Sequence, residues 1–116
     1  MKAIQQELNK LFEITHSKQD INLVKLYQDL ITEEFSEFIT AKTEPDKCKE
    51  LLDLLWVTIQ YANAKGWDLD KGMKLLIEEY KSKFLDEKGN YSPIFRDDGK
   101  LLKNKGFKKL DPTKLI

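Results

Sequence analysis

Residues 30–57 read "LITEEFSEFITAKTEPDKCKELLDLLWV", two apolar helical stretches joined by a short turn. Glu34, Glu37, Glu50 and Asp53 interrupt the sides that should be buried, in two pairs with the same three-residue spacing. Carboxylates are among the side chains least often buried without a partner. At about 100° per residue, Leu23, Tyr27, Leu30, Ile31, Phe38 and Ala41 share one arc of the first of these helices. Glu34 falls near the middle of that arc, Glu37 on its flank, and Glu33 at the border with the polar face. On the following helix Glu50 and Asp53 lie roughly 60° apart, flanking Val57.

An antiparallel hairpin centred between Thr43 and Glu44 sets Glu34 opposite Asp53 and Glu37 opposite Glu50. Four acids then meet between two packed helices. Like charges at ~4 Å repel by several kcal/mol even at an effective dielectric near 20. Shared protons or bound cations relieve that cost. Four oxygen ligands with no Cys or His suit a hard ion, Mg²⁺ or Mn²⁺, rather than zinc. An arbitrary E-x-x-E usually belongs to a solvated face paired with lysines. The apolar placement, the doubled spacing and the matching turn favour a metal site here.

The chain around this stretch is of a size for one domain, 116 residues and 13.6 kDa. Charged residues make up 34% and hydrophobic residues 41%, a globular rather than a disordered composition. Twenty Lys and Arg balance twenty Asp and Glu, which argues against binding nucleic acid or a membrane through bulk charge. The tail from Lys100, "KLLKNKGFKKLDPTKLI", nevertheless carries six lysines against one aspartate. No run approaches the ~18–20 apolar residues of a membrane span. The charged start "MKAIQQELNKLFE" does not suit a secretory signal. The single cysteine, Cys48, has no internal disulfide partner and fits a reducing cytoplasm. With no His near it in sequence, Cys48 reads as a helix residue rather than a nucleophile.

Periodicity predicts four helices, over about 2–14, 21–42, 46–65 and 67–85, with "THSKQD" as a polar break after the first. Pro45 ends or reshapes the second, and Gly66 suits a C-cap for the third. Beyond Leu85 the sequence turns irregular, with a short hairpin expected around "DDGK". The expected whole is one all-α domain over 1–116, a helical core of about 1–85 and a basic C-terminal arm of about 86–116. The third helix is apolar nearly all round, which a chain this small does not enclose unaided. An oligomer, at least a dimer, is therefore expected.

"EEFSE" (33–37) followed after twelve residues by "ELLD" (50–53) resembles the E-x-x-E…E-x-x-D signature of the all-α nucleoside triphosphate pyrophosphohydrolases. That superfamily includes MazG, the dimeric dUTPases and phosphoribosyl-ATP pyrophosphohydrolase. "KELLDLLWVTIQYANAKGWDLDKG" and "KSKFLDEKGNYSPIFRDDGKLLKNKGF" are similar to its MazG-like and phosphoribosyl-ATP pyrophosphohydrolase-like branch, so the resemblance covers about residues 23–110. It implies a four-helix, bundle-like fold and Mg²⁺-dependent cleavage of a nucleoside triphosphate between the α and β phosphates, in nucleotide-pool cleaning or adjustment. By position, Glu34, Glu37, Glu50 and Asp53 would be metal ligands and Glu33 the acid beside the attacking water. Lys83, Arg96, Lys100 and Lys103 would meet phosphate oxygens.

Two departures from that branch stand out. Tyr80 occupies a position where the branch commonly has Asn, and its Phe-His pair near the first helix appears here as Phe12-Glu13. His16 reads as a surface residue of the polar break, Trp56 and Tyr61 as core, and Trp67 as a residue able to stack a base. Phosphoribosyl-ATP hydrolysis and a catalytically silent helical interaction module are the alternatives. A silent module has no reason to keep four buried acids.

Overall fold

In a computed structural model that describes residues 1–17 and 22–116, the chain is all-α apart from one two-stranded hairpin. It divides into two compact units, Met1–Leu69 and Asp70–Ile116. The first holds α1 (Lys2–His16), α2 (Leu23–Thr40) and α3 (Glu44–Lys65). The expected start of the second helix at 21, and residues 18–20 of the polar break, lie outside the described residues.

Local chemistry sets the helix ends. Asn22 caps α2, its side-chain oxygen accepting from the Lys25 amide at 3.0 Å. The helix stops at Thr40, two residues earlier than expected, where Ala41 turns to extended backbone. Thr43 then caps α3 by accepting from the Asp46 amide at 3.2 Å. Pro45 lies inside the first turn of α3 rather than before it, because that turn has no use for an amide proton. Gly66 closes α3 in the left-handed conformation at φ 73, as the sequence led us to expect.

A three-residue link between α2 and α3 makes them an antiparallel hairpin, and theirs is the broadest helix–helix contact of the unit. α1 packs on α3. Leu8, Tyr27, Val57, Ile59 and Ala62 are buried. Gln60, 2% exposed, donates to the Leu8 carbonyl at 3.0 Å, and Asn63 donates to the Gln60 side-chain oxygen at 3.0 Å. Gln5 donates to Asn63 at 3.1 Å and accepts from the Leu69 amide at 2.9 Å. A relay of amides therefore ties α1 to the far end of α3 with its buried polar groups satisfied.

Two sequence readings need correction. His16 is not a surface loop residue: it is the last residue of α1, stacked edge-on against Phe12 and hydrogen-bonded through Nε2 to the Tyr27 hydroxyl at 2.8 Å. Trp56 is not core. It is 43% exposed, together with Leu51, Leu52, Leu55, Phe35 and Ile39. The apolar surplus of α3 is thus left uncovered by its own unit.

In the second unit α4 (Leu69–Lys83, entering from the first) is followed by the arm. The strands β1 (Ile94–Phe95) and β2 (Leu101–Leu102) pair antiparallel around "DDGK", with Gly99 at φ 93 in the turn, as expected. The arm is fastened back to α4. Glu79 accepts from the Leu110 amide at 2.6 Å, and the Ser82 hydroxyl accepts from the Lys108 amide at 3.0 Å. The Gly106 amide donates to the Leu85 carbonyl at 2.9 Å.

Candidate metal centre

The hairpin of α2 and α3 brings acids from both helices to one place. Among the described residues, Glu34, Glu50 and Asp53 form a group whose carboxylate oxygens all lie within 4.8 Å of one another. Glu37 lies close enough to Glu34 and Glu50 to interact with both. Glu34, Glu50 and Asp53 are half-buried, whereas Glu37 is exposed at the rim. Glu33 is exposed beside the cluster, near enough for its charge to act on Glu37.

Electrostatics register the crowding. The hydrogen bond and charge of Glu34 raise the Glu37 carboxyl above the ordinary range, with lesser help from burial and Glu33. Glu50 is raised first by burial, then by its hydrogen bond and repulsion with Glu37 and by Asp53. The Glu37 shift reports crowding by a neighbouring acid, and the Glu50 shift chiefly loss of water.

One oxygen each of Glu34 and Glu50 (Oε2) is buried without a hydrogen-bond partner. A buried carboxylate oxygen without a donor is costly, and a hard cation removes that cost. The donor set, oxygen only and drawn from two rigid helices, fits a divalent ion of the Mg²⁺ or Mn²⁺ kind.

A lysine stands beside the cluster that the spacing of the acids does not reveal. Lys49 Nζ lies 2.7 Å from both oxygens of Asp53, one turn along α3. The bond to Asp53 raises the pKa of Lys49, and the charges of Asp53, Glu50 and Glu34 add to it. The i,i+4 relation of Lys49 and Asp53 was the available signal. Cys48, next to it in sequence, is an exposed thiol.

Lys83, Arg96, Lys100 and Lys103 belong to the second unit. Lys83 Nζ sits 3.9 Å above the Tyr80 ring and Lys103 Nζ 4.9 Å above the Phe107 ring. Arg96 pairs with Asp98 across the hairpin turn, and the Lys100 amide donates to the same aspartate at 3.3 Å. Tyr80 itself is exposed. In the first unit Trp67 meets Tyr61 edge-on at 5.8 Å, with Lys65 over its ring. No described helix is long and apolar enough to cross a membrane.

A family model described as phosphoribosyl-ATP pyrophosphohydrolase matches residues 1–79, which include all four clustered acids. No curated protein and no solved structure matches the chain.

Proposed function

The chain belongs to the phosphoribosyl-ATP pyrophosphohydrolase family, within the MazG-like all-α superfamily, and on that premise we propose that it cleaves a nucleoside triphosphate, ribo or deoxy, to monophosphate and pyrophosphate. Family membership supports the coarser activity, pyrophosphohydrolysis of a nucleotide-like substrate. The observation that carries metal-assisted cleavage is the group Glu34, Glu50 and Asp53, in which Glu34 and Glu50 each have a buried oxygen without a hydrogen-bond partner.

In this reading Glu34, Glu37, Glu50 and Asp53 hold Mg²⁺, or Mn²⁺ in its place. When bound, the ion offsets phosphate charge and lowers the pKa of a ligated water. Glu33, exposed at the edge of the acids, accepts the proton of the attacking water. Its position outside the cluster suits that work, because a carboxylate committed to a cation is a poorer base. Lys83, Arg96, Lys100 and Lys103 meet the phosphate oxygens and retain the pyrophosphate as leaving group. The pathway served is nucleotide-pool cleaning or adjustment, in the cytoplasm.

The second reading, phosphoribosyl-ATP as substrate, is favoured by the description of the matching family. Both readings break the bond between the α and β phosphates. A panel of canonical and modified triphosphates with phosphoribosyl-ATP, assayed for pyrophosphate release, separates them. Reaction in ¹⁸O-labelled water is expected to place the label in the monophosphate. Label in pyrophosphate, or orthophosphate released with a nucleoside diphosphate, excludes the proposed bond cleavage.

We also assign the working form to a homo-oligomer, at least a dimer. Leu51, Leu52, Leu55 and Trp56 on α3 and Phe35 and Ile39 on α2 are each more than 40% exposed. An apolar surface of that size marks an interaction site in a soluble protein. Light scattering should give at least twice the mass of one chain at micromolar concentration; a stable monomer there excludes the assignment.

A further inference from the structure

We propose that Lys49 is the internal counter-ion of the carboxylate cluster, holding Asp53 when no divalent ion is present and giving it up when one binds. The inference rests on the metal-site reading above and concerns the residue that competes with it.

Lys49 Nζ is 2.7 Å from each Asp53 oxygen, so both oxygens face the ammonium. Asp53 is at the same time one of three acids whose oxygens converge within 4.8 Å. The other two, Glu34 and Glu50, each retain a buried oxygen without a donor. Lys49 thus neutralises one corner of the cluster and leaves the other two unsatisfied. An ammonium with three donors on a flexible stem can do this without fixing the site. Its side chain is 67% exposed, against 35% for Asp53. The lysine therefore regains full hydration on release, while the aspartate stays where it is. Exposed i,i+4 pairs are weak, which makes the contact displaceable. Removing the ammonium removes both a competitor for Asp53 and a positive charge beside the site.

The test is Mn²⁺ binding to the full-length protein, followed by calorimetry and by the rise in melting temperature on adding the ion. Lys49→Gln should bind Mn²⁺ roughly two- to five-fold more tightly than the wild type, the scale of one exposed ion pair. Its metal-free form should melt slightly lower, so its metal-induced rise is larger. Lys49→Arg, whose planar fork keeps hold of a carboxylate, should bind no more tightly than the wild type. Lys47→Gln is the control for net charge, since Lys47 lies over the Phe38 ring at 5.2 Å rather than on an acid of the cluster. Equal or weaker binding by Lys49→Gln overturns the proposal and leaves the metal site standing, provided the wild type binds. An equal gain in Lys47→Gln also overturns it, because general charge would then be the cause. A wild type that binds no Mn²⁺ removes the metal-site reading, and this proposal with it.

Discussion

Glu50→Gln is expected to lower turnover by on the order of 100-fold or more while the metal-free protein melts at the same temperature or higher. Outer partners of metal ligands already cost about 10–100-fold, and loss of a ligand should cost at least as much. The stability half follows from the charges. Glu37 and Glu50 both have pKa values raised in the folded protein, Glu37 chiefly by Glu34 and Glu50 by burial and then by Glu37 and Asp53. A raised carboxyl contributes stability that is fully present below its unfolded pKa and is lost as pH rises through the folded one. In EDTA the wild type should therefore melt higher near pH 5 than near pH 7. Asp98 and Asp111, lowered by Arg96 and Thr113 respectively, act oppositely, but only at more acidic pH. The amide of Glu50→Gln removes one anion, so its melting temperature should depend less on pH across that window. Thermal scans with and without EDTA at the two pH values check both halves. Wild-type turnover, or a metal-free variant that melts well below the wild type, would mean that Glu50 is structural.

Gly106→Ala is expected to destabilise the second unit by about 2–3 kcal/mol, the upper part of the range for overpacking. A Cβ at Gly106 would clash with the Asp86 carbonyl oxygen and lie 2.6 Å from that of Leu85. These are backbone atoms just beyond the end of α4, and they cannot turn aside as a side chain does. The hydrogen bond from the Gly106 amide to the Leu85 carbonyl is lost with the approach. Amide hydrogen exchange at residues 106–110 should speed up by more than tenfold, since 1.4 kcal/mol is a factor of ten. Gly72→Ala is the control: its Cβ would meet only Leu115 at 3.5 Å, and alanine favours the helix. Unchanged exchange in Gly106→Ala would mean that the arm is not seated on residues 85 and 86.

What the sequence disclosed, and what it withheld, follows from range. The helices and the "DDGK" turn are set by residues close in the chain, so periodicity and caps reached them. The acids were legible for a related reason: a three-residue link fixes which residues of α2 and α3 face each other. Lys49 is equally local, but pairing the faces of two helices does not reveal a contact whose partner lies one turn along the same helix. The His16 and Tyr27 bond was not legible, since it joins the end of α1 to α2 across the inter-helix break. Nor was the exposure of Trp56 and Leu52, because an apolar circumference says that a helix wants cover without saying where the cover comes from. The attachment of the arm through Glu79 and Leu110 spans 31 positions and depends on packing that spacing does not encode.

The chain carries one thiol, and it is solvent-exposed in the first half of α3. Cys48 precedes Glu50 by two residues, about 200° around the helix, so a group attached there projects away from the acids. A nitroxide or fluorophore can thus be placed at a single known point with no residue replaced. Paramagnetic Mn²⁺ bound at the carboxylates would broaden or quench that reporter over a distance short enough to measure. In an assembly of two copies the pair of reporters would be a molecular ruler across the α3 faces.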